Sequence, residues 1–135
     1  MTALVTSEAL KQYLDAGKVV SLPQMTVAQL ADLIAGDSAY ASRVLDVRRP
    51  GEYSQGHIAG VRNIPLSELA SNLQQLREHK PLAIICQGGY RSSMAASILM
   101  ANGFTDLINV RGGFAAWKKE GFPITLESPG VVCSN

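Results

Sequence analysis

The chain has 135 residues, of which 12 are basic and 11 acidic, so its formal net charge is only +1. This balance gives no global attraction to nucleic acid or to an anionic membrane surface, so any preference for an anion must be local. The length fits one domain that buries a sizeable core without disulfides or metals, and a hydrophobic fraction of 47% is typical of a soluble globular protein.

The N-terminal part of the chain predicts a short amphipathic segment, a linker and a capped helix. Residues 1–20 have apolar positions at helical spacing, and residues 21–24 have the composition of a linker. Thr26 and Gln29 have the spacing of a capping box. We therefore predict a helix that begins after Thr26 and stops at Gly36.

The middle of the chain alternates apolar strands with turn-rich or helical segments. Residues 43–47 predict a short strand, and the glycines and proline of residues 48–60 predict a loop with at most one turn of helix. Leucines at helical spacing after Pro65 predict an amphipathic helix over residues 66–76. Residues 82–85 form a fully apolar strand, as expected in a buried parallel sheet.

The C-terminal part predicts a helix over residues 92–102, a strand over residues 107–110 and a short helix over residues 114–120. Strands that alternate with helices indicate an α/β fold with a central, mostly parallel sheet flanked by helices. We divide the chain into an N-terminal extension, one domain and a C-terminal tail, over residues 1–24, 25–125 and 126–135.

Cys86 is the strongest candidate for chemistry, because it stands where the apolar strand stops and a glycine-rich turn begins. The turn leads directly into the next helix, so backbone N–H groups and the helix dipole would face the sulfur and favour a negative charge on it. We predict that Cys86 is a thiolate nucleophile; the alternative is a structural cysteine buried at a strand end. Asp46 also ends a strand, and ligands of parallel sheets bind beyond these carboxyl ends.

Cysteine usage and the lack of targeting patterns favour a reducing, cytoplasmic setting. Cys86 and Cys133 are far apart and form no CxxC pair, and no His/Cys cluster has the spacing of zinc ligands. The N-terminal residues lack the basic-then-apolar pattern of a secretory signal, and no apolar run is long enough for a membrane span. We expect no bound metal, no nucleic-acid partner and no membrane association.

Three separated motifs resemble those of the rhodanese-like domain, in the same order along the chain. The first includes Leu45-Asp46-Val47-Arg48, Pro50, Glu52, Gly56-His57-Ile58-Ala59-Gly60 and Asn63-Ile64-Pro65. The second, similar to the family's active-site pattern CxxGxRS, is Cys86-Gln87-Gly88-Gly89-Tyr90-Arg91-Ser92. The third includes Gly103-Phe104, Val110-Arg111-Gly112-Gly113, Trp117, Gly121 and Pro123. The resemblance covers most of the chain.

The resemblance implies a three-layer α/β fold and a sulfurtransferase that needs no metal or organic cofactor. In the family, the cysteine thiolate takes the sulfane sulfur of a donor such as thiosulfate, and the persulfide passes its outer sulfur to cyanide or a thiol, including a protein thiol. Carried onto this sequence, Cys86 is the catalytic residue, and Asp46 and Arg48 support the site. The residues implied in substrate binding are Gln87, Gly88, Gly89, Tyr90, Arg91 and Ser92.

The length of the loop separates this chain from a related class of enzyme. Four residues lie between Cys86 and Arg91, one fewer than in the similar loop of protein tyrosine phosphatases, which cradles a tetrahedral phosphate. Two other hypotheses remain. One is a non-catalytic rhodanese-like binding or regulatory module, although such modules commonly lack the cysteine. The other is a sulfur-carrier domain that serves a persulfide dioxygenase, with glutathione persulfide as the donor.

Several roles within the loop have two interpretations. Arg91 either binds the donor anion or fixes the loop through hydrogen bonds. Ser92 could donate its hydroxyl to the thiolate and could also cap the following helix. Gln87 and Tyr90 either shape access for the acceptor or point to solvent.

The first motif also contains polar residues whose interaction partners the sequence does not decide. Asp46 is expected to pair with Arg48 or Arg91 and so organise the site. Arg49 occupies a position that is often acidic in the family, so it adds positive charge that either favours an anionic substrate or stays solvated. His57 is expected to stabilise its turn through a hydrogen bond rather than to act as a base.

Overall fold

The computed structural model of the protein describes residues 22–77 and 82–126. The segment predicted over residues 1–20 lies outside these described residues, as does Cys133. In the described part of the chain, five short strands form one sheet in which every neighbouring pair is parallel. Helices cover both faces of this sheet, so the predicted α/β fold with a parallel sheet is confirmed.

The strands and helices alternate along the chain. The strands are β1 (Gln24–Met25), β2 (Val44–Asp46), β3 (Arg62–Asn63), β4 (Leu82–Ile85) and β5 (Leu107–Val110). The α-helices are α1 (Val27–Gly36), α2 (Pro50–Ser54), α3 (Tyr90–Ala101) and α4 (Gly113–Lys119). Three 3₁₀ helices cover Ser38–Arg43, Leu66–Ser71 and Gln74–Leu76. The order in the sheet is β1-β5-β4-β2-β3, which places β4 at the centre.

The core consists of two apolar layers, one on each face of the sheet. Alternate residues of β4 divide between them, because successive side chains of a strand point to opposite faces. Leu82 and Ile84 pack with residues of α3 such as Leu99, while Ala83 and Ile85 pack with residues of α1 and α4. All four residues of β4 are buried, which explains its continuous apolar sequence.

The predicted capping box at the start of α1 is confirmed. Thr26 Oγ1 accepts a hydrogen bond from the Gln29 backbone N–H at 3.1 Å, and Gln29 Oε1 accepts one from the Thr26 N–H at 2.9 Å. The helix ends at Gly36, as predicted. Reciprocal bonds of this kind satisfy two of the N–H groups that the first turn of a helix leaves without partners.

The prediction of a single amphipathic helix over residues 66–76 was wrong. Two 3₁₀ helices occupy this segment, and they are separated at Asn72 and Leu73. The Asn72 side chain donates to the Glu68 carbonyl at 2.8 Å, a local bond that competes with helix continuation. Leucines spaced by three and four residues fit two short 3₁₀ turns as well as one helix, so their spacing alone was ambiguous.

Strands β1 and β3 have two residues each and were too short to show a pattern in the sequence. Gln24 was assigned to a linker, but it belongs to β1, which pairs with β5 at the sheet edge. The Asn109 N–H donates to the Pro23 carbonyl at 2.8 Å and the Arg111 N–H donates to the Met25 carbonyl at 2.8 Å, which extends this pairing. A strand of two residues is set by such long-range bonds, since alternation needs several residues to be visible.

Residues 48–60 contain the short helix α2 and a buried histidine. His57 Nδ1 lies 2.7 Å from the Tyr53 carbonyl oxygen, and the two rings stack with centroids 3.6 Å apart. The backbone of His57 also exchanges two hydrogen bonds with Thr125, at 2.9 and 2.7 Å. These contacts agree with the stabilising role that was predicted for His57.

Candidate active site

Cys86 lies directly after β4, at the carboxyl edge of the sheet and at its centre. Asp46 ends the neighbouring strand β2 and is in register with Ile85, so the two candidate residues are brought to the same edge. The Cys86 residue is 1% exposed and packs with the apolar layer under α3. The parallel sheet thus delivers a thiol and a carboxylate to the edge where ligands of such sheets bind.

The sulfur of Cys86 is enclosed by the turn that follows it. The Gly89 backbone N–H donates to Cys86 Sγ at 2.9 Å, and Ser92 Oγ lies 3.5 Å from the same sulfur. Gly89 has a φ of 110°, a conformation that glycine adopts without the penalty a side chain would bring. The sulfur therefore lies beside the N-terminus of α3, where partial positive charge favours an anion.

The prediction that Ser92 caps α3 was wrong. The capping position is Gly89, and α3 begins at Tyr90, two residues before the predicted start. Ser92 lies inside the first turn, is buried, and donates its hydroxyl to the Gly89 carbonyl at 2.9 Å. The helix starts earlier because the positive φ of Gly89 completes the turn before the serine is reached.

Of the two partners expected for Asp46, Arg48 and Arg91, the structure pairs it with Arg48. Arg48 Nη2 lies 2.9 Å from Asp46 Oδ2, and Arg48 Nε lies 3.1 Å from both carboxylate oxygens. The Arg48 backbone N–H also donates to Asp46 Oδ1 at 3.0 Å. Both residues are buried, at 1% and 2% exposure, so the charges are paired inside the protein rather than open to a substrate.

Arg48 connects this buried ion pair to the active-site loop. Its Nη1 donates to Gln87 Oε1 at 3.3 Å, and its Nη2 donates to the Gly56 carbonyl at 2.8 Å. The guanidinium also lies over the Phe114 ring, 4.1 Å from the centroid, which is a cation–π geometry. The side chain of Gln87 is therefore tied to the interior, although the residue as a whole is exposed.

Arg91 makes a bidentate ion pair with Glu52 of α2. Arg91 Nη1 lies 2.6 Å from Glu52 Oε1, and Nη2 lies 3.0 Å from Oε2. Hydrogen bonding to Arg91 is the main reason why the pKa of Glu52 falls to about 2, and the same contact raises the pKa of Arg91. This geometry holds the loop to α2. Glu52 was part of the first motif but had been given no role, since no local pattern links residues so distant in sequence.

The outer rim of the loop is open to solvent. Tyr90 is 77% exposed, and a Cβ built on Gly88 would meet no atom within 4 Å. Arg49 is also exposed, and its Nε lies 3.8 Å from Glu52 Oε1. The rim thus presents an aromatic ring and a cation near the Glu52–Arg91 pair.

The inner side of the loop is held by the first turn of α4. The Phe114 N–H donates to the Cys86 carbonyl at 2.7 Å, and the Ala115 N–H donates to the Gln87 carbonyl at 3.0 Å. These contacts were not predicted from the sequence, because a helix start carries no signal for which carbonyl it will face.

Residues 22–77 and 82–126 contain no group of three or more His, Cys, Asp or Glu side chains that could hold a metal ion. Over the same residues, no helix combines the length and apolar character that a membrane crossing needs. The described site offers a thiol, backbone N–H groups and paired charges as its chemical groups.

Comparisons with known proteins identify the family of the chain. The family described as rhodanese-like domain matches residues 26–120. The chain is 45% identical to the uncharacterized protein YqhL of Bacillus subtilis, over 56% of this chain and 60% of that protein, so it spans less than two thirds of that relative. It is 36% identical to thiosulfate sulfurtransferase 16, chloroplastic, of Arabidopsis thaliana, over 78% of this chain and 93% of that protein.

A solved structure gives the same result for the fold. The rhodanese-related protein from Thermoplasma volcanium has a TM-score of 0.65 and 40% identity to this chain, and the match covers 78% of this chain and 99% of that one.

Proposed function

The chain belongs to the rhodanese-like domain family, and we propose that it is a sulfurtransferase whose Cys86 carries a sulfane sulfur from an anionic donor to a thiophilic acceptor. The observation that carries this proposal is the position of the Cys86 sulfur. It accepts the Gly89 N–H at 2.9 Å beside the N-terminus of α3, at the carboxyl edge of the sheet. The similarity of the chain to a thiosulfate sulfurtransferase supports the same chemistry.

In the first half-reaction, the Cys86 thiolate attacks the outer sulfur of the donor. With thiosulfate, a bond forms between Cys86 Sγ and that sulfur, the S–S bond of thiosulfate breaks, and sulfite leaves with the electron pair. With glutathione persulfide, the glutathione thiolate leaves instead. Both routes give a Cys86 persulfide without an external oxidant or reductant.

In the second half-reaction, an acceptor attacks the outer sulfur of the persulfide. Cyanide leaves as thiocyanate, or a small or protein thiol leaves as a persulfide, and the electron pair returns to the Cys86 thiolate. The Gly89 N–H would stabilise the sulfur anion before and after each transfer, because fixed donors need no reorganisation during the reaction. The chemistry requires neither a metal nor an organic cofactor, and we place it in the cytoplasm.

The loop residues take distinct parts in this proposal. We assign donor binding to the turn of Gly88, Gly89 and Tyr90, whose backbone N–H groups would cradle an anion. Arg91 orients the loop through Glu52 and adds positive potential near the thiol. Tyr90, which is largely exposed, is assigned to shaping the access of the acceptor.

Steady-state kinetics with thiosulfate and cyanide test the proposal. Thiocyanate formation should show ping-pong kinetics, with parallel double-reciprocal lines, and Cys86→Ser should abolish it. Cys133→Ser is the matched control and should keep the activity. Thiocyanate formation by Cys86→Ser, or turnover of an aryl phosphate in place of both sulfur donors, would contradict the proposal.

A second assay separates the related hypotheses. If glutathione persulfide turns over with a higher kcat/KM than thiosulfate, the chain acts as a sulfur carrier for small persulfides. A protein that binds neither donor covalently would be a binding module instead.

A further inference from the structure

Gly113, the first residue of α4, lies against the backbone of the active-site loop. A Cβ built on this glycine would stand 2.3 Å from the Cys86 carbonyl oxygen and 2.7 Å from the Gln87 carbonyl oxygen. Side chains do not approach backbone atoms this closely in folded proteins. The close contact therefore requires glycine at this position, whatever the rest of the sequence.

The two carbonyl groups that Gly113 contacts also accept hydrogen bonds from the two residues after it. The Phe114 N–H donates to the Cys86 carbonyl at 2.7 Å, and the Ala115 N–H donates to the Gln87 carbonyl at 3.0 Å. The first N–H groups of a helix have no partner within the helix, and here the loop supplies partners for two of them. The Cys86 and Gln87 carbonyls are thereby directed toward α4.

The orientation of these two carbonyl groups affects which N–H group meets the sulfur, because each peptide plane of a tight turn constrains the next. With the Cys86 and Gln87 carbonyls fixed, the chain reaches Gly89 in the orientation in which its N–H meets Cys86 Sγ at 2.9 Å. Gln87 is held a second time through its side chain, which accepts a hydrogen bond from Arg48. The loop is therefore fixed from its inner side.

We infer that Gly113 is a positioning residue for Cys86: its lack of a side chain lets the first turn of α4 hold the loop so that the Gly89 N–H faces the sulfur. The expected effect on sulfur transfer rests on the function proposed above, whereas the contact between Gly113 and the loop does not depend on that function. Gly113 touches neither donor nor acceptor in this role and acts through the Cys86 and Gln87 carbonyls.

A simpler explanation for glycine at this position is its backbone conformation, since Gly113 has a φ of 62°. Gly121 separates the two explanations. It flanks the other end of α4 with a φ of 80°, and a Cβ there would meet no atom within 4 Å. Gly121→Ala carries the backbone penalty of a left-handed residue, whereas Gly113→Ala adds the clash with the loop.

The test compares Gly113→Ala with Gly121→Ala by amide hydrogen exchange and by the rate of sulfur loading from thiosulfate. We expect the Gly89, Phe114 and Ala115 amides to exchange at least about tenfold faster in Gly113→Ala than in Gly121→Ala. We expect kcat/KM for thiosulfate to fall on the order of 100-fold in Gly113→Ala, as is typical of a small misplacement of a reacting group. Gly121→Ala should keep kcat/KM for thiosulfate within about twofold of the unmodified protein, because its backbone penalty still leaves the folded state dominant.

A second variant covers the case in which Gly113→Ala does not fold. Ala115→Pro removes the N–H that donates to the Gln87 carbonyl, at the third residue of α4, where no hydrogen bond within the helix is lost. It should accelerate exchange at Gly89 and slow sulfur loading in the same direction. Equal behaviour of Gly113→Ala and Gly121→Ala would overturn the inference, as would fast exchange at Gly89 with unchanged sulfur loading. If the unmodified protein takes up no sulfur, the proposed function fails, while exchange at Gly89 still decides whether Gly113 positions the loop.

Discussion

Arg48 and Asp46 carry the main buried charges of the site, and each depends on the other. The Asp46 carboxylate receives the Arg48 side chain and its backbone N–H, and the Arg48 guanidinium continues to Gln87 and Gly56. A buried ion pair contributes little net stability, but removing one partner leaves an uncompensated charge. The pair therefore fixes the structure of the loop rather than supplying a free cation for the substrate.

Replacing Arg48 with methionine should destabilise the protein by about 3–5 kcal/mol, because the Asp46 carboxylate loses its partner in the interior. Arg49→Met is the matched control, since the Arg49 side chain is 81% exposed, and its effect should stay within about 0.5 kcal/mol. Urea unfolding measures both free energies. Equal values for the two variants would show that leaving the Asp46 carboxylate without Arg48 carries no cost.

Ser92 and Ser93 provide a second pair of matched positions. Both hydroxyls donate to the Gly89 carbonyl, at 2.9 and 3.1 Å, but only Ser92 Oγ is also within 3.5 Å of the Cys86 sulfur. A Cys86 thiolate can only accept, so the Ser92 hydroxyl would turn from the Gly89 carbonyl to donate to the sulfur. Ser92→Ala should then slow sulfur loading by about tenfold, the usual effect of losing one hydrogen bond, while Ser93→Ala should leave it unchanged. Rapid-quench measurement of persulfide formation tests this. A similar loss in both variants would assign the effect to the Gly89 carbonyl instead of the sulfur.

At the scale of elements, the Glu52–Arg91 pair joins α2 to the start of α3. Glu52 has a pKa of about 2 in the folded protein, below its ordinary value of 4.5. A carboxylate with a lowered folded pKa stabilises the protein above the unfolded pKa, and this stabilisation is lost as the pH falls toward the folded pKa. Both side chains are partly exposed, so we expect a contribution of no more than about 1 kcal/mol.

Glu52→Gln should therefore lower the free energy of unfolding at pH 7 by up to about 1 kcal/mol, and the difference from the unmodified protein should shrink between pH 4.5 and pH 2. Chemical unfolding across this pH range measures the difference. Glu68→Gln, which changes an exposed carboxylate of a 3₁₀ helix, is the control and should show no such pH dependence. A difference that stays constant down to pH 2 would mean that the ion pair is not its source.

Local patterns predicted the elements whose signals are local. The capping box of α1, the stop at Gly36 and the apolar strand β4 all follow from residues within one element, and the structure contains them. The segment after Pro65 was mispredicted because leucine spacing fits 3₁₀ turns equally well. Strands β1 and β3 were missed because two residues show no alternation, and only pairing across the sheet defines them.

The site was predictable to a similar extent. Cys86, its glycine-rich turn and the helix behind it could be recognised from consecutive residues. Arg48 was one of the two partners expected for Asp46, and the structure decides for it. The partner of Arg91 could not be predicted, because it depends on which loops the sheet brings together. Glu52 meets Arg91 from 39 positions away, and Gly113 meets the Cys86 carbonyl from 27 positions away.

At the scale of the whole molecule, the parallel sheet gathers the chemistry at one edge. The central strand β4 delivers Cys86, the neighbouring β2 delivers Asp46, and the loop after β5 leads into the first turn of α4. The two apolar layers hold these strands in register, while the described loops at this edge carry the polar contacts. This division between a packed scaffold and a loop-built site is common in α/β proteins.

The central claim is that Cys86 is the residue that carries the sulfur, and intact-mass measurement tests it most directly. The protein is incubated with thiosulfate or glutathione persulfide, freed of excess donor and weighed beside Cys86→Ser and Cys133→Ser. We expect one adduct of about 32 Da, the mass of a sulfur atom, in the unmodified protein and in Cys133→Ser, and none in Cys86→Ser. An adduct that persists in Cys86→Ser, or no adduct with either donor, would contradict the claim.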